Sequence, residues 1–439
     1  MSCDRRSFMA ACGAGMLSSR LVRAQERPAG ALPATASVAA WRAEFPALTQ
    51  EISGHPLAYL DSAATTLRPR AVIDAVARFD AGPNANPSPT LHTLARRAAD
   101  AYGAARATVA RFINAAGPLE VVFTKGSTEA INLVAATWGL ANVSRGDEIV
   151  VTIAEHYSNL LPWRALATRV GARIVVVDVD EQGSVDVERV SSAFTTRTKL
   201  LAVSHVSNVL GRVNPVEDLC QAARKRNVAV LVDAAQSAPH LRMDVQTLGC
   251  DFLCFSGHKL LGPMGTGVLW ARQETLDGMP PYQLGSNMAH DVDDDRAELE
   301  HGGFKYQAGT PNVSGAVGLA AALEALERFD RTAIRRHDTN LVQHFRDRLQ
   351  RVPRVQVLGS LGDDANRLPV FTFTIPGVPV ATLVKGLDER GVAVRAGDMA
   401  ALPLLKRFGI AAAVRASCYL YTTTEEIDRL VDGLGELGG

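Results

Sequence analysis

Asp251-Phe252-Leu253-Cys254-Phe255-Ser256-Gly257-His258-Lys259-Leu260-Leu261-Gly262-Pro263 is the stretch on which the reading of this chain turns. Residues 252–256 have the apolar, aromatic character of a buried strand. The strand runs out in Ser256, Gly257 and His258 and delivers Lys259 into a Gly262-Pro263 turn, where little side-chain bulk crowds an amine. A lysine so placed can form a Schiff base, which is how a protein holds an aldehyde cofactor. Taken alone, the stretch reads equally well as a surface lysine in a glycine-rich loop.

Working outward, Val230-Leu231-Val232-Asp233-Ala234-Ala235-Gln236 closes a second buried strand with a carboxylate, eighteen residues before Asp251. Ligands of an open α/β sheet bind at the carboxyl ends of its strands. Asp233 therefore sits where it can pair with the pyridinium nitrogen of pyridoxal phosphate, the alternative being a helix N-cap. Further upstream, Phe123-Thr124-Lys125-Gly126-Ser127-Thr128-Glu129-Ala130 reads as strand, glycine turn, hydroxyls and helix start. Such a turn offers backbone N–H groups and a helix dipole to a phosphate, and as a lone motif is equally an ordinary capped helix.

Around these stretches, apolar runs at residues 121–123, 148–153, 173–177, 200–204, 228–233, 252–256 and 267–271 predict strands. Helical patterns at 128–138, 160–169 and 216–225 alternate with them, which predicts α/β architecture with a largely parallel sheet covered on both faces. A long helical region follows at 315–349, and then strand and helix patterns at 355–358, 369–375, 380–389, 392–395, 414–419 and 425–437. That change predicts a large domain over residues 38–330 and a smaller α+β domain over 331–439, with the first residues of the large domain a candidate to pack on the small one.

The chain has 439 residues, with 46 Lys and Arg against 46 Asp and Glu, so its formal charge is zero. A neutral balance argues against nucleic acid or an anionic membrane as partner, because phosphate binding needs a basic excess. Hydrophobic residues make up 47% and charged residues 21%, the profile of a folded globular chain, and no apolar run approaches a membrane span. Asp4-Arg5-Arg6-Ser7-Phe8-Met9, a weakly apolar stretch to Leu17 and Val22-Arg23-Ala24 read as a twin-arginine export signal over residues 1–24, with a linker at 25–37. Export places the protein in the periplasm; an ordinary tail with two arginines would leave it in the cytoplasm. Beyond residue 24, Cys220, Cys250, Cys254 and Cys418 form neither a paired motif nor a metal-ligand cluster and read as small buried hydrophobes.

With these motifs in hand, the sequence resembles the class V group of fold-type I pyridoxal-phosphate enzymes, most closely the group II cysteine desulfurases and selenocysteine lyases. The resemblance runs from about Tyr59 to Leu437 and rests on ordered motifs. They are Tyr59-Leu60-Asp61-Ser62-Ala63-Ala64, Gly126-Ser127-Thr128-Glu129, Glu155-His156, Ser207-Asn208-Val209-Leu210-Gly211, Asp233-Ala234-Ala235-Gln236, Ser256-Gly257-His258-Lys259 and Gly309-Thr310-Pro311-Asn312. The resemblance implies that Lys259 carries the cofactor, Asp233 pairs with the ring nitrogen, Gln236 bonds the ring hydroxyl, and His156 stacks on the ring with Asn208 beside it. It further implies that Ser127, Thr128, Ser256 and His258 hold the phosphate. Thr310 would reach in from a second subunit, which implies a homodimer with shared sites. Arg415, together with Arg395, would take the substrate carboxylate, a role that suits a planar guanidinium.

The sequence departs from the family in its sulfur chemistry. Desulfurases carry a nucleophilic cysteine on a loop between two small-domain arginines, here Arg395 and Arg415, and the thiol position falls at Ala400. Two histidines usual before that thiol are replaced by Asp398 and Met399, Tyr157 replaces a common second histidine, and the loop at 84–92 carries Pro87 and Pro89. Cys418 follows Arg415 by three residues on a predicted strand, so it should face away from a site that Arg415 enters. The expected function is a pyridoxal-phosphate lyase or transferase acting on a small amino acid, with Lys259 as general base. Carbon–sulfur or carbon–selenium cleavage without a protein persulfide leads, with transamination, epimerisation and a non-catalytic cofactor-binding protein as alternatives.

Overall fold

A computed structural model describes residues 38–362 and 366–438. Residues 1–37, on which the export-signal and linker readings fall, lie outside the described residues. The seven expected runs form one sheet: β1 (Val121–Thr124), β2 (Glu148–Thr152), β3 (Arg173–Val177), β4 (Thr198–Ser204), β5 (Ala229–Asp233), β6 (Phe252–Ser256) and β7 (Gly267–Ala271). Their order is β1-β7-β6-β5-β4-β2-β3. The neighbours from β6 through β5, β4 and β2 to β3 pair in parallel, and β7 runs antiparallel to both β6 and β1. Strands β2, β6 and β7 are buried along their whole length because helices cover both faces, which is why they read as continuous apolar runs. Two apolar layers result, one on each face of the sheet.

Helices Arg70–Ala81 and Thr93–Phe112, which the sequence reading leaves unassigned, pack on Val313–Arg328 to form a further apolar cluster. The expected helix at 128–138 is regular only over Ser127–Val134 and continues as a wider π turn over Ala135–Gly139. Close packing accompanies the widening: a Cβ on Gly139 would lie 2.6 Å from Leu166 Cδ2.

The smaller C-terminal domain is built on an antiparallel sheet of β8 (Gln356–Val357), β9 (Val370–Thr374), β10 (Arg395–Gly397) and β11 (Ala413–Ser417), in the order β8-β9-β11-β10. Helices Arg331–Leu349, Val380–Asp388 and Thr424–Gly438 close its core. The run expected as one strand at 392–395 is split. Val392–Ala393 pairs in parallel with Ala58–Tyr59, whereas Arg395–Gly397 joins β11. Ala58 and Leu60 are fully buried in the small-domain core, so the segment leading into the large domain is built into the small one and carries Asp61 to the seam between them.

Candidate active site

A cavity of about 450 Å³ opens at the carboxyl ends of β2, β4, β5 and β6, roofed by β10, β11 and the loop after β10. It brings together Ser127, Thr128, His156, Asn208, Asp233, Gln236, Ser256, His258, Lys259, Arg395 and Arg415, every expected site residue but Thr310. Thr310 is exposed and its Oγ1 accepts a hydrogen bond from Asn86 Nδ2 at 3.1 Å.

Lys259 ends a single helical turn after β6, Gly257–Lys259. Glycine is required there by close approach, since a Cβ on Gly257 would lie 2.3 Å from Thr266 Oγ1. The turn is clamped from the far end of the sequence: the backbone N–H and the hydroxyl of Thr66 both donate to His258 O, and Thr66 Oγ1 accepts from Leu261 N at 2.8 Å. Burial lowers the Lys259 ammonium to about 8, against the opposing pull of Asp233. Asp233 is buried at the tip of β5, its Oδ1 accepts from Ala235 N at 2.9 Å, and burial raises its carboxyl while that N–H and Lys259 counteract.

The opposite end is lined with hydroxyls. Ser256 Oγ receives the Ser127 N–H at 2.9 Å and lies 3.0 Å from Ser127 Oγ, and Thr128 Oγ1 lies 2.7 Å from Ser158 Oγ, all at the first turn of Ser127–Val134. Over the middle, His156 Nδ1 accepts from Ser158 N at 3.1 Å, which leaves the imidazole proton on Nε2. Burial first, then Lys259 and Arg415, hold His156 down at about 4, so it is neutral. Beneath it Glu155 accepts from Thr152 Oγ1, Asn159 Nδ2 and Ser204 Oγ at 2.7, 2.7 and 2.5 Å, and burial raises its carboxyl to about 7. Gln236 donates through Nε2 to Ala63 O at 2.8 Å.

At the roof, Arg395 and Arg415 are cross-strand neighbours, a like-charge pairing that needs a counter-ion. Asp61 supplies it, taking Arg395 Nε and Nη2 at 3.1 and 2.9 Å and Arg415 Nη2 at 3.3 Å. Arg415 also donates through Nη1 to Asn208 O at 3.0 Å; its Nε is buried without a partner among the described residues, and burial lowers the guanidinium to about 10. The sequence reading gives Asp61 no role, and its signal is only the short motif that contains it.

The loop after β10 is pinned to the large domain. Tyr157 Oη donates to Asp398 Oδ2 at 2.6 Å, Tyr157 N to Ala400 O at 2.7 Å, and Asn208 Nδ2 to Met399 O at 2.8 Å. These contacts hold Met399 and Ala400 both at φ +53°, a left-handed pair costing about 1–2 kcal/mol per residue. Ala400 lines the cavity, and among the described residues no cysteine does. Cys418 is 2% exposed within the small-domain core, and all four described cysteines are buried with free thiols.

The donor set fits pyridoxal phosphate. An amine and a buried carboxylate lie at the deep end, a neutral imidazole lies between, and a helix start ringed with hydroxyls suits the phosphate. The comparisons agree. The sequence profile of the family described as "Aminotransferase class-V" matches residues 58–430. A "Probable cysteine desulfurase" of Halalkalibacterium halodurans is 43% identical over 393 residues, 89% of this chain and 95% of its own length. A "Cysteine desulfurase" of Klebsiella pneumoniae is 42% identical over 401 residues, 91% of this chain and 98% of its own. Among solved structures, the cysteine desulfurase CsdA of Escherichia coli, crystallised as an S-sulfonic acid, superposes with a TM-score of 0.84 at 36% identity, covering 92% of this chain and 98% of that one. With its lysine, carboxylate and helix start at the strand ends where such chemistry is done, this chain belongs to the class V aminotransferase family and is a pyridoxal-phosphate-dependent enzyme.

Proposed function

We propose that this enzyme acts on a small amino acid by carbon–sulfur or carbon–selenium bond cleavage of the cysteine desulfurase type, without passing sulfur through a protein persulfide. One observation carries the reading: Lys259, Asp233, His156 and Arg415 line one cavity, Ala400 lines it at the position of the family's thiol, and among the described residues no cysteine lines that cavity. The relatives named cysteine desulfurase support the substrate class.

Pyridoxal phosphate, when bound, draws electron density from the bonds at the substrate Cα. The chain supplies the rest. Asp233 would hold the ring nitrogen, Ser127, Thr128, Ser256 and His258 the phosphate, Gln236 the ring hydroxyl, and Asn208 and His156 the ring face. Arg415, with Arg395, would receive the substrate carboxylate in a bidentate pairing that fixes which Cα bond is activated. The Lys259 amine, lowered to about 8, has a substantial neutral fraction near pH 7–8 and can take the Cα proton. The proton that Lys259 takes can be returned to a departing group, and the neutral His156 Nε2–H can hydrogen-bond that group without giving up its proton. Elimination requires a leaving group and an acid, whereas transfer to a persulfide requires a thiolate, which Ala400 does not provide.

The test is incubation with L-cysteine and analysis of products and protein. Sulfide, pyruvate and ammonia, formed with uptake of one water and no protein persulfide, are expected. Alanine together with a persulfide mapped to Cys418 would overturn the reading; amino-group transfer to a keto acid, or loss of Cα stereochemistry without cleavage, would assign transamination or epimerisation instead. A homodimer with Thr310 completing the partner's site is proposed on the exposure of Thr310, and sedimentation tests it. Export to the periplasm is proposed on Arg5 and Arg6; replacing both with lysine should retain the precursor in the cytoplasm.

A further inference from the structure

The roof of the cavity carries a charge that the proposed chemistry does not use. Asp398 lines the cavity beside Met399 and Ala400, and both of its carboxylate oxygens are engaged: Oδ2 accepts the Tyr157 hydroxyl at 2.6 Å and Oδ1 the Ala400 N–H at 2.9 Å. Neither donor bears a formal charge, so the anion is oriented without being neutralised. The phenol hydrogen bond, followed by the Ala400 N–H, keeps its carboxyl below the usual carboxylate range, and it is ionised at neutral pH. It also cannot swing aside. The backbone that follows it is held by Tyr157 N at Ala400 O and by Asn208 Nδ2 at Met399 O, and Met399 and Ala400 both sit in left-handed conformations.

The remaining charges around the cavity have partners of their own. Asp233 faces Lys259 at the deep end, both oxygens of Asp61 hold Arg395, and one of them also meets Arg415. An amino acid with its amino group toward Lys259 and its carboxylate at Arg415 has one substituent left, the side chain. Of the lining near the roof, the loop carrying Asp398, Met399 and Ala400 is available to it, along with small or apolar residues such as Ala63, Ala64 and Val206.

We propose that Asp398, oriented by Tyr157, is a specificity determinant that admits amino acids with neutral side chains and rejects those whose side chain ends in an anion. The inference rests on the amino-acid reading above and adds to it the class of side chain. A fixed like charge lining the cavity that receives the side chain discriminates by repulsion, and about tenfold is the expected order.

The test uses the holoenzyme and a pair of ligands of equal shape and different charge. Cofactor absorbance is titrated with L-asparagine and with L-aspartate, and the ratio of dissociation constants is read. In the wild type asparagine should bind at least about tenfold more tightly. Asp398→Asn should bring the ratio to within about twofold, and Tyr157→Phe, which removes only the orienting hydroxyl, should lower it part of the way. Should Asp398→Asn not retain cofactor, Tyr157→Phe carries the test. Equal binding by the wild type, or a ratio unmoved by the substitutions, overturns the proposal while leaving the amino-acid reading in place. A wild-type spectrum that no amino acid perturbs overturns that reading, and this inference with it.

Discussion

Gly267→Ala is the most direct probe of the end of the site proposed to hold the phosphate. Gly267 begins β7, opposite Thr124 in β1, and a Cβ there would lie 2.4 Å from Gly126 Cα, 2.7 Å from its nitrogen and 2.8 Å from its carbonyl carbon. Ordinary contact begins near 3.4 Å, so the Gly126 backbone has to retreat by about 1 Å. Gly126 immediately precedes Ser127–Val134, whose first residues, Ser127 and Thr128, line the cavity. A shift of that size breaks about one charge-assisted hydrogen bond to a phosphate, about 1.5–3 kcal/mol. At 1.4 kcal/mol per decade, pyridoxal phosphate should bind about 10- to 150-fold more weakly. Overpacking should cost about 1–3 kcal/mol of stability as well. Cofactor affinity is measured by equilibrium dialysis of the apoenzyme and stability by thermal melting. Gly103→Ala, within Thr93–Phe112 and with nothing within 4 Å of the added methyl, should change neither cofactor affinity nor folding adversely. Unaltered affinity in Gly267→Ala would falsify the assignment of the phosphate to this helix start.

Lys259→Ala should abolish turnover and leave no borohydride-reducible link between cofactor and chain; a reduced adduct on another lysine refutes the assignment. Because burial holds the Lys259 amine at about 8 instead of 10.5, reconstitution of the apoenzyme with pyridoxal phosphate should accelerate with rising pH and level off above about 8. A profile still climbing at pH 10 contradicts the geometry. His156, His205 and His258 are held near 4 by burial, so between pH 6.5 and 4 the unfolded chain binds more protons than the folded one. Apoenzyme melting temperature should therefore fall as pH drops through that window. Glu155, raised to about 7, acts in the opposite sense between 4.5 and 7 and offsets only part, so a flat profile would contradict the burial of these rings. Cys418→Ser should leave product identity unchanged and lower stability by about 1–2 kcal/mol through its place in the small-domain core; loss of sulfide release would instead put that thiol in the chemistry.

What the sequence determined by itself was whatever a local pattern encodes. Strands β2 and β4 to β7 are legible because burial on both faces demands unbroken apolar runs, and Lys259 and Asp233 are legible because strand ends are where such a sheet binds ligands. Ser127 and Ser256 follow the same logic, although 129 residues separate them. The helices Arg70–Ala81 and Thr93–Phe112 are amphipathic but precede β1, outside the alternation of strand and helix that makes the sheet legible. Only the tertiary structure decided what surrounds the arginines. Asp61 reaches Arg395 and Arg415 across 334 and 354 residues because Ala58–Tyr59 pairs with Val392–Ala393, a pairing that splits a run the sequence presents as one strand. Tyr157 meets Asp398 across 241 residues, and Thr66 clamps the Lys259 turn from 192 residues away. Such contacts leave no periodicity in the chain, because each depends on where two separately folded segments come to rest, and packing of the whole core fixes that position.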